Sequence, residues 1–277
     1  MPATPDSAPA SLPMLVATDL DGTLVRSDGT ISDRTVAALR AVEAAGSTVV
    51  FVTGRPPRWI ADVAEATAHT GLAICANGAI VYDLHTEQVI EAFPMAAAVA
   101  RVVVERLRAA LPEVGFAVET VDGFSHEPGY RSRWPVGRQV RIGPVDELLA
   151  GAATDGLIKL LARHEVLDPD TLLSQAREVV GEVAELTHSS RTGLLEISAA
   201  GVSKATTLAV VCAERGIAAS EVAAFGDMPN DLPMLAWAGS AYAMANSHRD
   251  VLAAVPGRAP SNDDDGVAHV LEDLFAP

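Results

Sequence analysis

The stretch MLVATDLDGTL, residues 14–24, decides how this chain folds. Residues 14–18 form a continuous, largely apolar run, the pattern of a strand buried on both faces of a parallel sheet. The run stops at Asp19, and Asp19-Leu20-Asp21-Gly22-Thr23 supplies turn-forming residues. In an open parallel sheet, ligands bind outside the carboxyl ends of the strands, so this turn is a candidate binding edge.

Working outward, the arrangement recurs. Ser32 is a candidate N-cap for a helix with Val36, Leu39 and Val42 at helical spacing, and Gly46 sits at its C′ position. Residues 48–52 and 73–76 read as strands ending at Thr53-Gly54-Arg55 and Asn77-Gly78. The pattern returns near residue 200. There Ser203 caps a helix over 204–215 closed by Gly216, and a strand at 222–225 ends at Gly226-Asp227. A short helix over 229–237 and a strand at 241–244 follow.

The middle of the chain reads differently. A helix over 95–111 places Val99, Val102, Val103, Leu107 and Ala110 on one face. Strands are expected at 116–120, 139–142, 157–162 and 183–188. A helix over 169–180 has Asp168 as N-cap and Pro169 at its first position. The expected fold class is α/β, a parallel-sheet core from residues 14–90 and 190–277 with a second α/β block, 91–189, inserted. Residues 1–13, rich in Pro, Ala and Ser, read as a mobile tail without the basic and apolar regions of a signal peptide.

Composition narrows the function. The 277 residues are 49% hydrophobic and 20% charged, an ordinary globular balance. No apolar run approaches the ~18 residues of a membrane helix. Two cysteines, Cys75 and Cys212, exclude a disulfide framework and a four-cysteine zinc site; they read as small core residues in a cytoplasmic protein. The histidines are scattered, with no pair at ligand spacing, so no zinc is expected. A net charge of −16 argues against nucleic acid as a partner. Of the 20 lysines and arginines only Lys159 and Lys204 are lysines, which singles out both.

The strand ends and helix starts bring Asp19, Asp21, Asp227 and Asp231 to one edge. Gathered carboxylates repel, and a hard divalent cation such as Mg²⁺ relieves the repulsion. Thr53, Lys204 and the helix N-terminus at Lys204 add donors for a phosphate.

As an ordered set these motifs resemble the haloacid dehalogenase-like (HAD) phosphohydrolases. Asp19 to Leu24 matches the first motif, Thr53-Gly54-Arg55 the second, Lys204 the third, and Gly226-Asp227 through Asp231 the fourth. The insert between the second and third motifs resembles the Cof-type subgroup, as do Asn77-Gly78-Ala79, Gly201-Val202-Ser203-Lys204, Met234-Leu235 after Asn230-Asp231, and Asp265-Gly266-Val267-Ala268. Ala205 stands where that subgroup commonly has Gly.

The resemblance implies a Rossmann-like parallel-sheet core with an inserted α/β cap. It implies Asp19 as nucleophile and Asp21 as general acid and base. Mg²⁺ would be held by the Asp19 carboxylate, the Asp21 carbonyl and the Asp227 carboxylate. Thr53, with Gly54 in its loop, and Lys204 would bind phosphate; Asn230 and Asp231 would support the metal and Lys204; Asn77 would touch substrate or orient its loop. An Asp at position 21 fits a phosphatase, with a phosphomutase or a phosphatase dedicated to one sugar phosphate as alternatives. A non-catalytic phospho-ligand-binding protein is the rival from another class. The expected partner is a small phosphorylated metabolite, sugar phosphates first and phosphorylated cofactors next. Neither nucleic acid nor membrane is expected, and the protein would be a monomer or homodimer. In the insert, His126 to Trp134 concentrates arginines and aromatics that could grip a sugar, or forms a plain surface loop. The run Asn262 to Asp265 reads as a solvated loop rather than a second cation site.

Overall fold

A computed structural model describes residues 12–121, 123–132 and 140–276. The chain opens with β1 (Leu15–Thr18), α1 (Asp33–Ala44), β2 (Thr48–Val52), α2 (Ala61–Thr67) and β3 (Leu72–Cys75). A hairpin, β4 (Ile80–Asp83) and β5 (Gln88–Ala92), follows. The middle holds α3 (Ala97–Ala110), β6 (Gly115–Thr120), β7 (Phe124–His126), β8 (Arg141–Ile142), α4 (Val145–Asp155) and β9 (Leu157–Arg163). It continues with α5 (Pro169–Val180), β10 (Ala184–Thr187) and β11 (Leu194–Ala199). The return is α6 (Lys204–Glu214), β12 (Val222–Gly226), α7 (Leu232–Trp237), β13 (Ser240–Met244), α8 (Arg249–Ala254), β14 (Gly257–Ala259) and α9 (Gly266–Leu274).

The first sheet has the order β14-β13-β12-β1-β2-β3-β4-β5. Its strands are parallel from β14 to β3, and only the β4–β5 hairpin runs antiparallel. β1 lies near the middle, between β12 and β2. Leu15 and Ala17 pack into the layer containing Leu208 of α6 and Met234 of α7; Val16 packs into the opposite layer with Leu39 of α1 and Leu271 of α9. This two-sided burial accounts for the unbroken apolar run.

Local chemistry sets the helix starts. The Ser32 hydroxyl accepts the Thr35 N–H at 3.0 Å, Asp168 accepts that of Thr171 at 3.0 Å, and Ser203 and Thr206 cap each other reciprocally.

The second sheet has the order β10-β11-β9-β6-β7-β8. One face packs against α3, α4 and α5 through Val103, Leu107, Leu148, Leu149, Leu172 and Ala176. The expected boundary at 189/190 moves: Leu194–Ala199 pairs antiparallel with both β9 and β10, so the second sheet reaches residue 199. The buried stripe of α3 is Ala100, Val103, Val104 and Leu107, whereas Val102 and Ala110 face outward. The strand expected at 139–142 is reduced to the two exposed residues of β8; position 139 lies outside the described residues, as do residues 1–11 of the expected tail. Among the described residues, no helix is long and apolar enough to cross a membrane.

Candidate active site

The carboxyl ends of β1, β2, β3 and β12 converge, and each delivers one of the sequence motifs. After β1, the Asp19 N–H donates to the Phe225 carbonyl at 3.0 Å, tying the first motif to β12. Gly22 has φ +82°, and a Cβ there would lie 2.4 Å from Asp227 Oδ2, so the first and fourth motifs touch because this residue has no side chain. The Thr23 hydroxyl donates to Asp227 Oδ1 at 3.0 Å. After β3 the backbone turns left-handed at Ala76 and Asn77, with φ +52° and +58°, and aims Asn77 at the Asn230 amide, 3.0 Å away.

Lys204, at the first turn of α6, is buried between two carboxylates. Its Nζ lies 2.6 Å from Asp19 Oδ1 and 2.6 Å from Asp231 Oδ1. Asp231 Oδ2 accepts the N–H groups of Asp227 and Met228 at 2.9 and 3.0 Å, so Asp231 fixes the fourth motif from behind. Carboxylate oxygens of Asp19, Asp227 and Asp231 lie within 4.8 Å of one another, and all three residues are buried.

Three carboxylates gather around one ammonium, and their protonation reflects it. Burial pushes the Asp19 carboxyl well up; Asp231 and Asp227 add to this while Lys204 opposes it. Burial, then Asp231, pushes Asp227 up to about 7. Burial alone would lower Lys204, but Asp19 and Asp231 outweigh it and hold the ammonium firmly charged. An all-oxygen, anionic, charge-deficient pocket of this kind fits a hard divalent cation.

Asp21 stands apart from that cluster. Its carboxylate is 59% exposed and is gripped by Arg55 through Nε at 2.8 Å and Nη2 at 2.6 Å. Thr53 is buried, and its hydroxyl accepts the Arg55 N–H at 3.0 Å. The fold thus brings together Asp19, Thr53, Gly54, Asn77, Lys204, Asp227, Asn230 and Asp231, with Asp21 at the rim.

Above this edge lies a cleft of about 540 Å³ between the two sheets. Asp19, Asp21, Gly54, Arg55, Met228 and Asn230 line its floor; Glu119, Tyr130, Lys159, Leu161, Ser189 and Glu196 line the side from the second sheet. Arg58 pairs with Glu119 across it. The sequence alone gives no role to Arg55, Arg58, Glu119 or Glu196, and it marks Lys159 only by its rarity.

Tyr130 of the arginine and aromatic cluster lines the cleft, Arg131 is exposed, and Arg133 and Trp134 lie outside the described residues. The acidic run is a clasp: Asp265 takes both nitrogens of an Arg26 fork, and Asp263 accepts from Ser27. Burial pushes the thiols of Cys75 and Cys212 up to about 12 and about 11, as suits inert core residues. His188 and His248, far apart in sequence, meet at Asp170, at 3.0 and 3.3 Å, in a contact between the two halves.

The chain matches the haloacid dehalogenase-like hydrolase family over residues 16–271. It is 28% identical to the pyridoxal phosphate phosphatase YbhA of Escherichia coli (strain K12), covering 93% of this chain and 97% of that one. It is 28% identical to the 5-amino-6-(5-phospho-D-ribitylamino)uracil phosphatase YitU of Bacillus subtilis (strain 168), covering 95% and 98%. Among solved structures, TM0651 from Thermotoga maritima superposes with a TM-score of 0.71 at 28% identity, covering 95% and 97%. A haloacid dehalogenase-like hydrolase from B. subtilis superposes with 0.80 at 24% identity, covering 94% and 99%. The chain belongs to the haloacid dehalogenase-like hydrolases, as a Cof-type phosphatase that hydrolyses phosphoric monoesters.

Proposed function

We propose that this chain is a Mg²⁺-dependent phosphatase of small phosphorylated metabolites, working through an aspartyl-phosphate on Asp19. The observation that supports it most is the cluster of three buried carboxylates, two of them paired with one buried ammonium, Lys204. Asp19, Asp227 and the Asp21 carbonyl would hold the cation. When bound, it orients the phosphoryl oxygens and offsets their repulsion from Asp19.

The chain's own groups do the rest. Lys204 engages Oδ1 of Asp19, which leaves Oδ2 to attack phosphorus. As the Asp19–phosphorus bond forms, the bond to the leaving oxygen breaks and Asp21 gives that oxygen a proton. Asp21 then takes a proton from the water that attacks the aspartyl-phosphate, freeing phosphate and restoring Asp19. Thr53 and Lys204 stabilise the charge that builds on the transferring group. Arg55 keeps Asp21 at the rim, where a leaving group enters. Asp231 anchors the fourth motif and Lys204; Asn230 and Asn77 hold each other beside the cleft.

The second sheet and its helices act as a cap that covers the reacting groups and meets the leaving group. Sugar phosphates are the first expected substrates. Relatives named for pyridoxal phosphate and a phosphoribitylamino-uracil are the reason to put phosphorylated cofactors and their precursors next. We expect a cytoplasmic monomer or homodimer that does not bind nucleic acid. The test is phosphate release from a panel of phosphorylated sugars, nucleotides and cofactors, with Mg²⁺ or with EDTA, and with Asp19→Asn as control. Release that needs both Mg²⁺ and Asp19 supports the reading. Release that survives either loss contradicts it.

A further inference from the structure

Lys159 is the other of the chain's two lysines, and the chemistry above does not use it. It sits on β9, on the face of the second sheet that looks into the cleft, and is 2% exposed. Burying an ammonium is costly unless it is paired and hydrogen-bonded, so its partners indicate its task. One is Glu196 on β11, with Oε1 at 2.7 Å. Burial would raise the Glu196 carboxyl, but Lys159, Ser189 and Asn77 outweigh it and hold it below its ordinary range. The other partner lies across the cleft: Lys159 Nζ donates to the main-chain carbonyl of Gly54 at 2.8 Å.

That carbonyl belongs to the peptide unit joining Gly54 to Arg55, whose N–H donates to the Thr53 hydroxyl at 3.0 Å. A peptide unit is rigid and planar, so fixing its oxygen also fixes its N–H. Chained hydrogen bonds polarise one another, so an ammonium on the oxygen strengthens the N–H as a donor. The Thr53 hydroxyl, holding that N–H as acceptor, is free to turn its own proton toward a phosphoryl oxygen. The cap's lysine is therefore one peptide plane away from the phosphate-binding hydroxyl.

We propose that Lys159 is a positioning residue carried by the cap. Through the Gly54–Arg55 peptide it sets the Thr53 hydroxyl for phosphoryl binding, so the second motif is competent only while the cap sits on the core. Glu196, held by Ser189, keeps the ammonium aimed at Gly54. The inference rests on the phosphatase reading, and on Thr53 as a phosphate ligand within it.

The test uses p-nitrophenyl phosphate as substrate and inorganic phosphate as competitive inhibitor. Wild type must first release phosphate in an Asp19-dependent way; if it does not, the phosphatase reading fails, which is a separate result. The variants are Lys159→Met, Lys159→Met/Glu196→Gln, Thr53→Val and Lys159→Met/Thr53→Val. The double change at 159 and 196 leaves no buried charge alone, so its melting temperature stays close to wild type. We expect it to keep the defect of Lys159→Met, a loss in kcat of about ten- to hundredfold for a misplaced binding group. Its inhibition constant for inorganic phosphate should rise several-fold, which a residue touching only the leaving group would not cause. Lys159→Met/Thr53→Val should be no worse than the poorer single variant, because both act through one hydroxyl. Recovery of wild-type kcat in the charge-balanced double variant overturns the proposal, as does multiplication of the two single losses.

Discussion

Asp227→Asn should make the cation-free protein more stable while removing a cation ligand. Asp227 is 5% exposed, and burial, then Asp231, pushes its carboxyl from an ordinary 3.8 up to about 7. Between those two values the native protein holds a proton that the unfolded chain has lost. Stability from this group is full below about pH 4, falls as pH rises, and is gone above about pH 7. Three pH units at about 1.4 kcal/mol each give roughly 4 kcal/mol as the ceiling of that loss. Asparagine carries no such penalty, and its carbonyl still accepts from Thr23. The assay is urea unfolding of both proteins in EDTA at pH 7.5 and 5.5. The Asp227→Asn protein should lead by about 2–4 kcal/mol at pH 7.5, and the lead should shrink by about 2 kcal/mol at pH 5.5. The buried His69 and His188 titrate in both proteins and drop out of the difference. No lead at pH 7.5, or a lead that grows on acidification, would mean that the Asp227 carboxyl is not raised by its burial.

Other consequences follow from the same contacts. Lys204→Met leaves Asp19 and Asp231 without their shared ammonium and should cost about 3–5 kcal/mol at pH 7.5 by urea unfolding; a loss under about 1 kcal/mol would show the pair to be idle. Gly22→Ala puts a Cβ 2.4 Å from Asp227 Oδ2 at φ +82° and should cost more than about 1 kcal/mol and weaken Mg²⁺ binding by calorimetry; unchanged affinity contradicts the close approach.

Much of this fold was legible because its punctuation is local. Ser32, Asp168 and Ser203 cap helices through residues three positions on, and β1 is apolar on both faces because both are covered. What escaped depends on distant partners. β5 is mostly exposed, so it lacks the alternation of a half-buried strand. Residues 194–199 fall within the stretch that the sequence assigns to the core, 190–277, and only their pairing with β9 and β10 places them in the second sheet. The α3 stripe keeps Val103 and Leu107 but takes in Ala100 and Val104 and leaves Val102 and Ala110 outside, because its neighbours, not its own spacing, decide which residues are covered. In the site, carboxylates and glycines at strand ends were visible as motifs. The grip of Arg55 on Asp21 and the reach of Lys159 to Gly54 were not, because each joins groups that only the folded topology brings together.

The proposed chemistry turns on a covalent phosphoryl group on Asp19. A rapid-quench single turnover tests it, with the fastest phosphomonoester of the panel labelled with ³²P. Acid-stable label should appear and decay within the turnover, map to the peptide carrying Asp19, and be missing from Asp19→Asn. Full phosphate release by Asp19→Asn, or label on another residue, would contradict it.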